Sequence, residues 1–600
     1  MYVKSVCVLC LVLATALAAS DDTPVVTTSQ GRIIGTRLEF SPTDPEQVGR
    51  SVDAYLGIPY AEAPVGPLRF KPPVAKSWSG ELQATKLGNR CPQPMPMASL
   101  GEMALSGPFN EDCLCVDVFV PQPLPSDAAV LVYIHGGSYI NGAGIMAEMY
   151  PTPIAAVGDV IVVTMNYRLG PFGFLSTNDE VIPGNMGLLD QRLALEWVRD
   201  NIKAFGGDPE RVAIFGESAG GTSVGLHMVS PGSSGLFRGA ILESGDATAP
   251  WATTPASAAR RAAFVLGKLV GCERQTSEEL LECLQQIEGF DTIVEKQQDK
   301  LIAAEFSGHQ LISFTPVVDG DVIPADPNDL YEHGAINDAV AIIGALADEG
   351  MLELLPVFPN NTDEAPFVDS DSFDANLRFQ LGWMKCSEPI VIEAAKMMYG
   401  NASCSGVPDC DYLDSLSQVL GDVLYVCSGD KTARAFTKAG RQVYRYYMTH
   451  IATTTILGNK WTKSIHFDDL IFVFGLPLIP SVNWTYTEDE ARMSIQIIKY
   501  WANLAKTGNP NLSSLDAEQR EEEKLPEWPL FTLEELAYKD LSISMSNGRG
   551  IKAKECLMWN EFMPKLIKIV EEAKECQEVK ETKDGDDGEG TCTKETCPEE

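Results

Sequence analysis

Over residues 128–342 the chain alternates apolar stretches of strand length with helical patterns, and this alternation constrains the fold more than any other feature. Ala129-Val130-Leu131-Val132-Tyr133-Ile134 ends in His135-Gly136-Gly137, and Val160-Ile161-Val162-Val163-Thr164-Met165 ends in Asn166-Tyr167-Arg168. Both are nearly continuous apolar runs rich in β-branched residues, the pattern of strands buried on two faces. Residues 188–203 put Leu189, Leu193, Trp197 and Ile202 broadly on one side of a helix that closes at Gly206-Gly207-Asp208-Pro209. Residues 212–215, 239–242 and 339–344 begin further strands. Such repetition predicts an α/β fold, a mainly parallel sheet with helices on both faces and functional loops at the strands' carboxyl ends. With no internal repeat and no Pro/Gly/Ser linker, residues 21–570 are read as one large domain.

Charge and cysteine usage narrow the setting. The net charge is −37, the opposite of what nucleic-acid binding requires. Residues 571–600 carry 12 acids and 4 bases with almost no aromatic content, and are expected to be a disordered acidic tail. Residues 1–20 hold Lys4, an apolar run and Ala16-Leu17-Ala18, the parts of a cleavable signal peptide, so secretion is expected. No later stretch has eighteen uninterrupted apolar residues, and no membrane span is expected. Asn360, Asn401, Asn483 and Asn511 head glycosylation sequons. Of 15 cysteines, 13 follow the signal, so at least one thiol is free or joins two chains. No Cys-x-x-Cys pair with a matching second pair occurs, and neither a metal nor an organic cofactor is expected.

The chemistry centres on Gly216-Glu217-Ser218-Ala219-Gly220, a Gly-x-Ser-x-Gly pattern that directly follows a strand and opens a small-residue helix. A serine on a sharp strand-to-helix turn is exposed above the sheet edge, with helix amides aimed at any developing anion. Its hydroxyl needs a base, and the base needs an acid to orient it. For this arrangement the chain order is Ser, acid, His, which favours the downstream histidines His450 and His466 among the six present. His466, in a polar loop before an apolar segment, is the better base. Residues 341–347 form an apolar strand running into Asp348-Glu349, and the residues alone do not separate these two carboxylates. The loop His135-Gly136-Gly137-Ser138 is of the type that supplies amides to an oxyanion hole together with that of Ala219. His135 itself is read as structural.

These residues resemble the type-B carboxylesterase and cholinesterase family of α/β-hydrolases. Glu111-Asp112-Cys113-Leu114, Phe215-Gly216-Glu217-Ser218-Ala219-Gly220-Gly221 and Asn166-Tyr167-Arg168-Leu169-Gly170-Pro171-Phe172-Gly173-Phe174 carry the resemblance, which runs over residues 25–565. It implies an α/β-hydrolase fold and a triad of Ser218, Glu349 and His466. It also implies an oxyanion hole from Gly137, Ser138 and Ala219, and disulfides Cys91–Cys113, Cys272–Cys283 and Cys427–Cys556. The expected activity is hydrolysis of small-molecule carboxylic esters.

Several positions depart from the family pattern. Ser138 stands where a third glycine is usual, and a positive φ there would cost about 1–2 kcal/mol. Phe467 replaces a common glycine after the histidine, and Met103 replaces the tryptophan with which cholinesterases bind choline. Trp251 resembles the family's acyl-pocket tryptophan. Trp251, Met103 and Phe467 are therefore the candidate pocket residues of a non-cholinesterase member. A binding or adhesion protein that keeps the fold is the alternative, motivated by Cys576, Cys592 and Cys597, which could link chains; a lipid or steryl-ester hydrolase differs only in its pocket. Pairing of Cys115, Cys386, Cys404 and Cys410 stays open, with a Cys404–Cys410 loop one option.

Overall fold

The structure, a computed structural model, describes residues 23–584 except 43–48, 95–106, 147–148, 306–312, 362, 383–388, 401–409, 481–483 and 513–524. Its strands are β1 (Val25–Thr27), β2 (Gly31–Ile34), β3 (Thr36–Phe40), β4 (Arg50–Pro59), β5 (Gly80–Gln83), β6 (Cys115–Gln122), β7 (Ala128–Ile134), β8 (Ile161–Met165), β9 (Gly207–Glu217), β10 (Gly239–Glu243), β11 (Val340–Leu346), β12 (Val443–Met448), β13 (Ala537–Leu541) and β14 (Asn547–Arg549). Eleven of them form one sheet in the order β14-β13-β12-β11-β10-β9-β7-β8-β6-β4-β3, and β1, β2 and β5 form a small second sheet. From β13 across to β8 the strands are parallel, while β6, β4 and β3 at one edge and β14 at the other are antiparallel. The expected α/β-hydrolase architecture is thus present, with antiparallel margins that the strand patterns alone did not separate from the parallel centre.

The order locates the site. The chain goes from β7 to β8 on one side and then returns to place β9 on the other side of β7. Loops after β7 and β9 therefore diverge at their carboxyl ends and leave a crevice, the usual ligand position in an open α/β sheet. Alternate residues of the central strands feed two cores. Val130, Val132, Ile214, Leu242 and Ile343 lie in one, and Leu131, Tyr133, Phe215, Ile241 and Ile342 in the other. This two-faced burial is why those strands read as continuous apolar runs.

The helices that matter for the site are α1 (Ala219–Val229), α2 (Cys427–Lys438), α3 (Asp468–Val473), α4 (Glu488–Thr507) and α5 (Met563–Asp584). A capping box between Thr487 and Glu490 starts α4, which lays Met493, Ile497, Ile498, Trp501 and Leu504 onto the second core. Two sequence expectations need correction here. The Gly206–Pro209 segment is not only a turn, because β9 already begins at Gly207. Residues from 571 onward are not wholly a tail: α5 runs to Asp584, a stretch of Glu, Lys and Ala with strong helical preference that carries the i,i+4 pair Lys568–Glu572. Cys592 and Cys597 lie outside the described residues.

The three disulfides implied by the resemblance are all present. Cys115 is a buried free thiol, and Cys410 is disulfide-bonded. Cys386 and Cys404, like Asn401 and Asn483, fall outside the described residues. Asn360 is exposed. The Asn511 side chain is held against Trp528: its Nδ2 donates to the Trp528 carbonyl at 2.9 Å and its Oδ1 accepts from the Trp528 amide at 2.7 Å. No described helix is long and apolar enough to cross a membrane.

Candidate active site

Ser218 occupies the single residue between β9 and α1, with φ 59° and ψ −124°, a region that L-residues rarely adopt. Its amide donates to the Glu243 carbonyl at 2.9 Å, and its own carbonyl accepts from Thr222 N at 2.9 Å, so the strained turn is pinned at both ends. The flanking glycines are required by contact. A Cβ on Gly216 would lie 2.4 Å from the Ile134 carbonyl oxygen, and one on Gly220 only 2.1 Å from it. One on Gly245, after β10, would meet the Ser218 carbonyl oxygen at 2.1 Å. Strand, turn and helix are in backbone contact, which is how a strained serine is kept at the sheet edge.

The acid and the imidazole meet across 117 residues of sequence: His466 Nδ1 lies 2.5 Å from Glu349 Oε2. The other oxygen of Glu349 accepts from Ser244 Oγ at 2.5 Å and from the Leu346 amide at 2.8 Å. Both side chains are almost fully buried. Asp348, the other strand-end acid, instead receives the Ser464 amide at 3.3 Å. His450 has a different role, with Nε2 3.1 Å from Glu490, the residue that caps α4. His135 is structural: its ring stacks on Tyr167 at 4.3 Å, and burial pushes its pKa down to about 4.

On the far edge of the imidazole, Nε2 lies 2.9 Å from Glu217 Oε1, although the contact is poorly aligned for a hydrogen bond. Among the described residues, no hydrogen bond joins His466 to Ser218; the structure puts Nε2 beside the residue immediately preceding the serine. Burial by itself disfavours the imidazolium, but the two flanking carboxylates of Glu217 and Glu349 outweigh it and hold His466 well above its ordinary range. Glu217 is pushed up by its burial, an effect that His466 partly offsets. Glu217 escaped the sequence reading because it fills the variable position of the serine motif. Ser244 and Tyr425, whose ring centroid is 4.4 Å from that of His466, had no sequence signal.

The loop after β7 lies beside the serine, since a Cβ on Gly136 would come within 3.2 Å of Ser218 Cβ. Gly137 has φ 106°, and a side chain there would run into Asn141 at 2.2 Å. Ser138 has φ 55° and Tyr139 φ 59°, so the strain expected at Ser138 is present. Among the described residues, the amides of Gly137 and Ser138 have no protein acceptor, and Ala219, at the first position of α1, has no intrahelical one. These are the donors an anion would require.

Of the candidate pocket residues, Met103 lies outside the described residues. Trp251 is buried, with its indole N–H donating to the Leu424 carbonyl at 2.9 Å. Phe467 is at φ 86°, which accounts for a glycine being usual there, and its side chain joins the core instead of standing as an open wall.

Residues 22–559 match the carboxylesterase family. The chain belongs to that family. It is also 34% identical to the acetylcholinesterase of Electrophorus electricus over 605 aligned positions, covering 93% of this chain and 91% of that one. This carboxylesterase-family chain is accordingly a serine carboxylic-ester hydrolase.

Proposed function

We propose that this esterase is secreted and works through Ser218, His466 and Glu349 by way of an acyl-enzyme. Ser218 Oγ attacks the ester carbonyl carbon while its proton passes to His466 Nε2. The carbonyl oxygen becomes an oxyanion held by the amides of Gly137, Ser138 and Ala219, each such donor being worth about 3 kcal/mol in the transition state. Collapse breaks the bond to the alcohol oxygen, which takes the proton from Nε2. Water then attacks the acyl carbon with the same imidazole as base, releasing the acid and restoring the serine. Glu349 holds Nδ1–H and stabilises the imidazolium.

The observation that carries this reading is the 2.5 Å contact of His466 Nδ1 with a Glu349 carboxylate clamped by Ser244 and Leu346. It orients Nε2 toward the strained serine turn, where the neighbouring Glu217 lies 2.9 Å away without an aligned hydrogen bond. The apolar leader, the disulfides and an exposed Asn360 heading a sequon support export. Rapid mixing with a chromogenic acetate ester should give a pre-steady-state burst close to one equivalent, lost in Ser218→Ala. Steady turnover persisting in Ser218→Ala would refute the assignment.

A further inference from the structure

The loop that carries the Gly137 and Ser138 amides has a backbone that its own residues do not favour. Gly137, Ser138 and Tyr139 are three consecutive residues at positive φ, 106°, 55° and 59°, and only the first is a glycine. Side chains beyond glycine are strained in that region, so the loop keeps its shape only where its surroundings hold it. Within the loop, the Gly137 carbonyl accepts from the amides of Ile140 and Asn141, each at 3.0 Å. At the entry, Tyr167 OH donates to the His135 carbonyl at 2.8 Å. In the middle, the Gly170 amide donates to the Tyr139 carbonyl at 2.7 Å.

The exit is held by a side chain that no motif marks. Gln93 is 3% exposed, and its amide group grips both backbone groups of Gly142: Oε1 accepts from the Gly142 N–H at 3.0 Å, and Nε2 donates to the Gly142 carbonyl at 2.9 Å. Nε2 also donates to the Cys91 carbonyl at 3.0 Å, and Cys91 is fixed by its disulfide to Cys113. Two residues further on, the Gly144 amide donates to Asn166 Oδ1 at 2.8 Å, while Asn166 Nδ2 donates to the Asn89 carbonyl at 2.9 Å. Both ties thus lead to the segment around Cys91. Gly142 lies directly against the start of the loop, since a Cβ on it would come within 2.4 Å of His135 Nδ1 and 2.6 Å of the Gly136 carbonyl oxygen. Gly136 in turn borders the serine turn, so it touches Gly142 on one side and the nucleophile's neighbourhood on the other. We infer that Gln93 is a positioning residue for ester hydrolysis: by clamping Gly142 to the Cys91–Cys113 segment, it holds the amides of Gly137 and Ser138 where the oxyanion forms. This rests on the serine-hydrolase reading proposed above. Because Gln93 acts through the loop backbone, its loss weakens binding of the transition state and leaves binding of the ester itself nearly unchanged.

The test compares wild type with Gln93→Met, which keeps the side chain's length and removes its hydrogen bonds, and Gln93→Asn, which keeps an amide but withdraws it by one methylene. Hydrolysis of p-nitrophenyl acetate is measured per active site, with sites counted by fluorophosphonate labelling of Ser218 carried to completion and read by mass. In each variant kcat per labelled site should fall about 10- to 100-fold, short of the loss from deleting an oxyanion donor outright. KM should stay within about 2-fold. The inhibition constant of a trifluoromethyl ketone, whose adduct with Ser218 carries an oxyanion, should rise by the factor that kcat/KM falls. A merely structural role would lower the labelled fraction or the urea midpoint and leave kcat per labelled site unchanged, and that result overturns the inference. So does a rise in KM at constant kcat, or a ketone that binds as tightly as to wild type while kcat falls. Should Gln93→Met fail to fold, Gln93→Asn decides by the same readings. Absence of both hydrolysis and labelling in wild type would count against the catalytic reading itself and is distinct from these outcomes.

Discussion

At His466 burial and two carboxylates act on one imidazole in opposite directions, and the carboxylates of Glu217 and Glu349 prevail. Because the folded-state pKa is raised, the stability contributed by this ion cluster is fully present below the ordinary histidine value of 6.5 and is lost as pH rises through the folded value. Catalysis runs the other way, since only the neutral imidazole can take the serine proton. The acid limb of the kcat/KM profile should therefore lie above pH 6.5, and Glu217→Gln, which removes one of the two anions, should move it to lower pH. Stopped-flow hydrolysis across pH measures this directly, and a limb left in place by Glu217→Gln would contradict the electrostatic account. The strand-to-helix turn at Ser218 was readable from its motif, and His466 was singled out by chain order as a histidine that the structure indeed places against a strand-end carboxylate. Glu349 was not separable from Asp348 by residue type, since the choice depends on a carboxylate folding back onto the Leu346 amide three residues before it. Glu217 was hidden because any residue fits its place in the motif.

For the elements, the tightest constraint is the contact between α1 and the end of β7. Gly220→Ala places a methyl 2.1 Å from the Ile134 carbonyl, and backbone cannot yield as a side-chain tip can. The expected outcome is a folded protein weakened by about 1–3 kcal/mol in urea unfolding, with acyl-enzyme formation reduced at least 10-fold because the serine turn is displaced. Unchanged burst kinetics in Gly220→Ala would show that the close packing does not hold the nucleophile. The strands of the parallel centre were legible as apolar runs, and β10 and β11 lie where expected. The early start of β9 was not, because Gly207, Asp208 and Pro209 carry turn preferences that neighbouring β7 overrides through the Ala128–Gly207 pairing.

Taken as a whole molecule, the fold class could be read from sequence, but the order of the sheet could not, because strand order depends on contacts between segments far apart in the chain. The cross-links act at this scale too. Cys427–Cys556 spans 129 residues and Cys272–Cys283 spans 11, so chain-entropy reasoning gives about 5 and about 3 kcal/mol respectively. Urea unfolding of the two Cys→Ala pair variants should rank them in that order, and the reverse ranking would mean that contacts in the folded protein outweigh the entropy of the unfolded chain. The central claim is convergence of Ser218, His466 and Glu349 into one proton-relaying unit. Its most direct measurement is the rate of organophosphonate labelling, located by peptide mass spectrometry, in wild type, His466→Gln and Glu349→Gln. The account predicts a label on Ser218 in wild type and a fall of about 10,000-fold in rate in each variant; a label on another residue, or undiminished labelling of Ser218 without the imidazole, would contradict it.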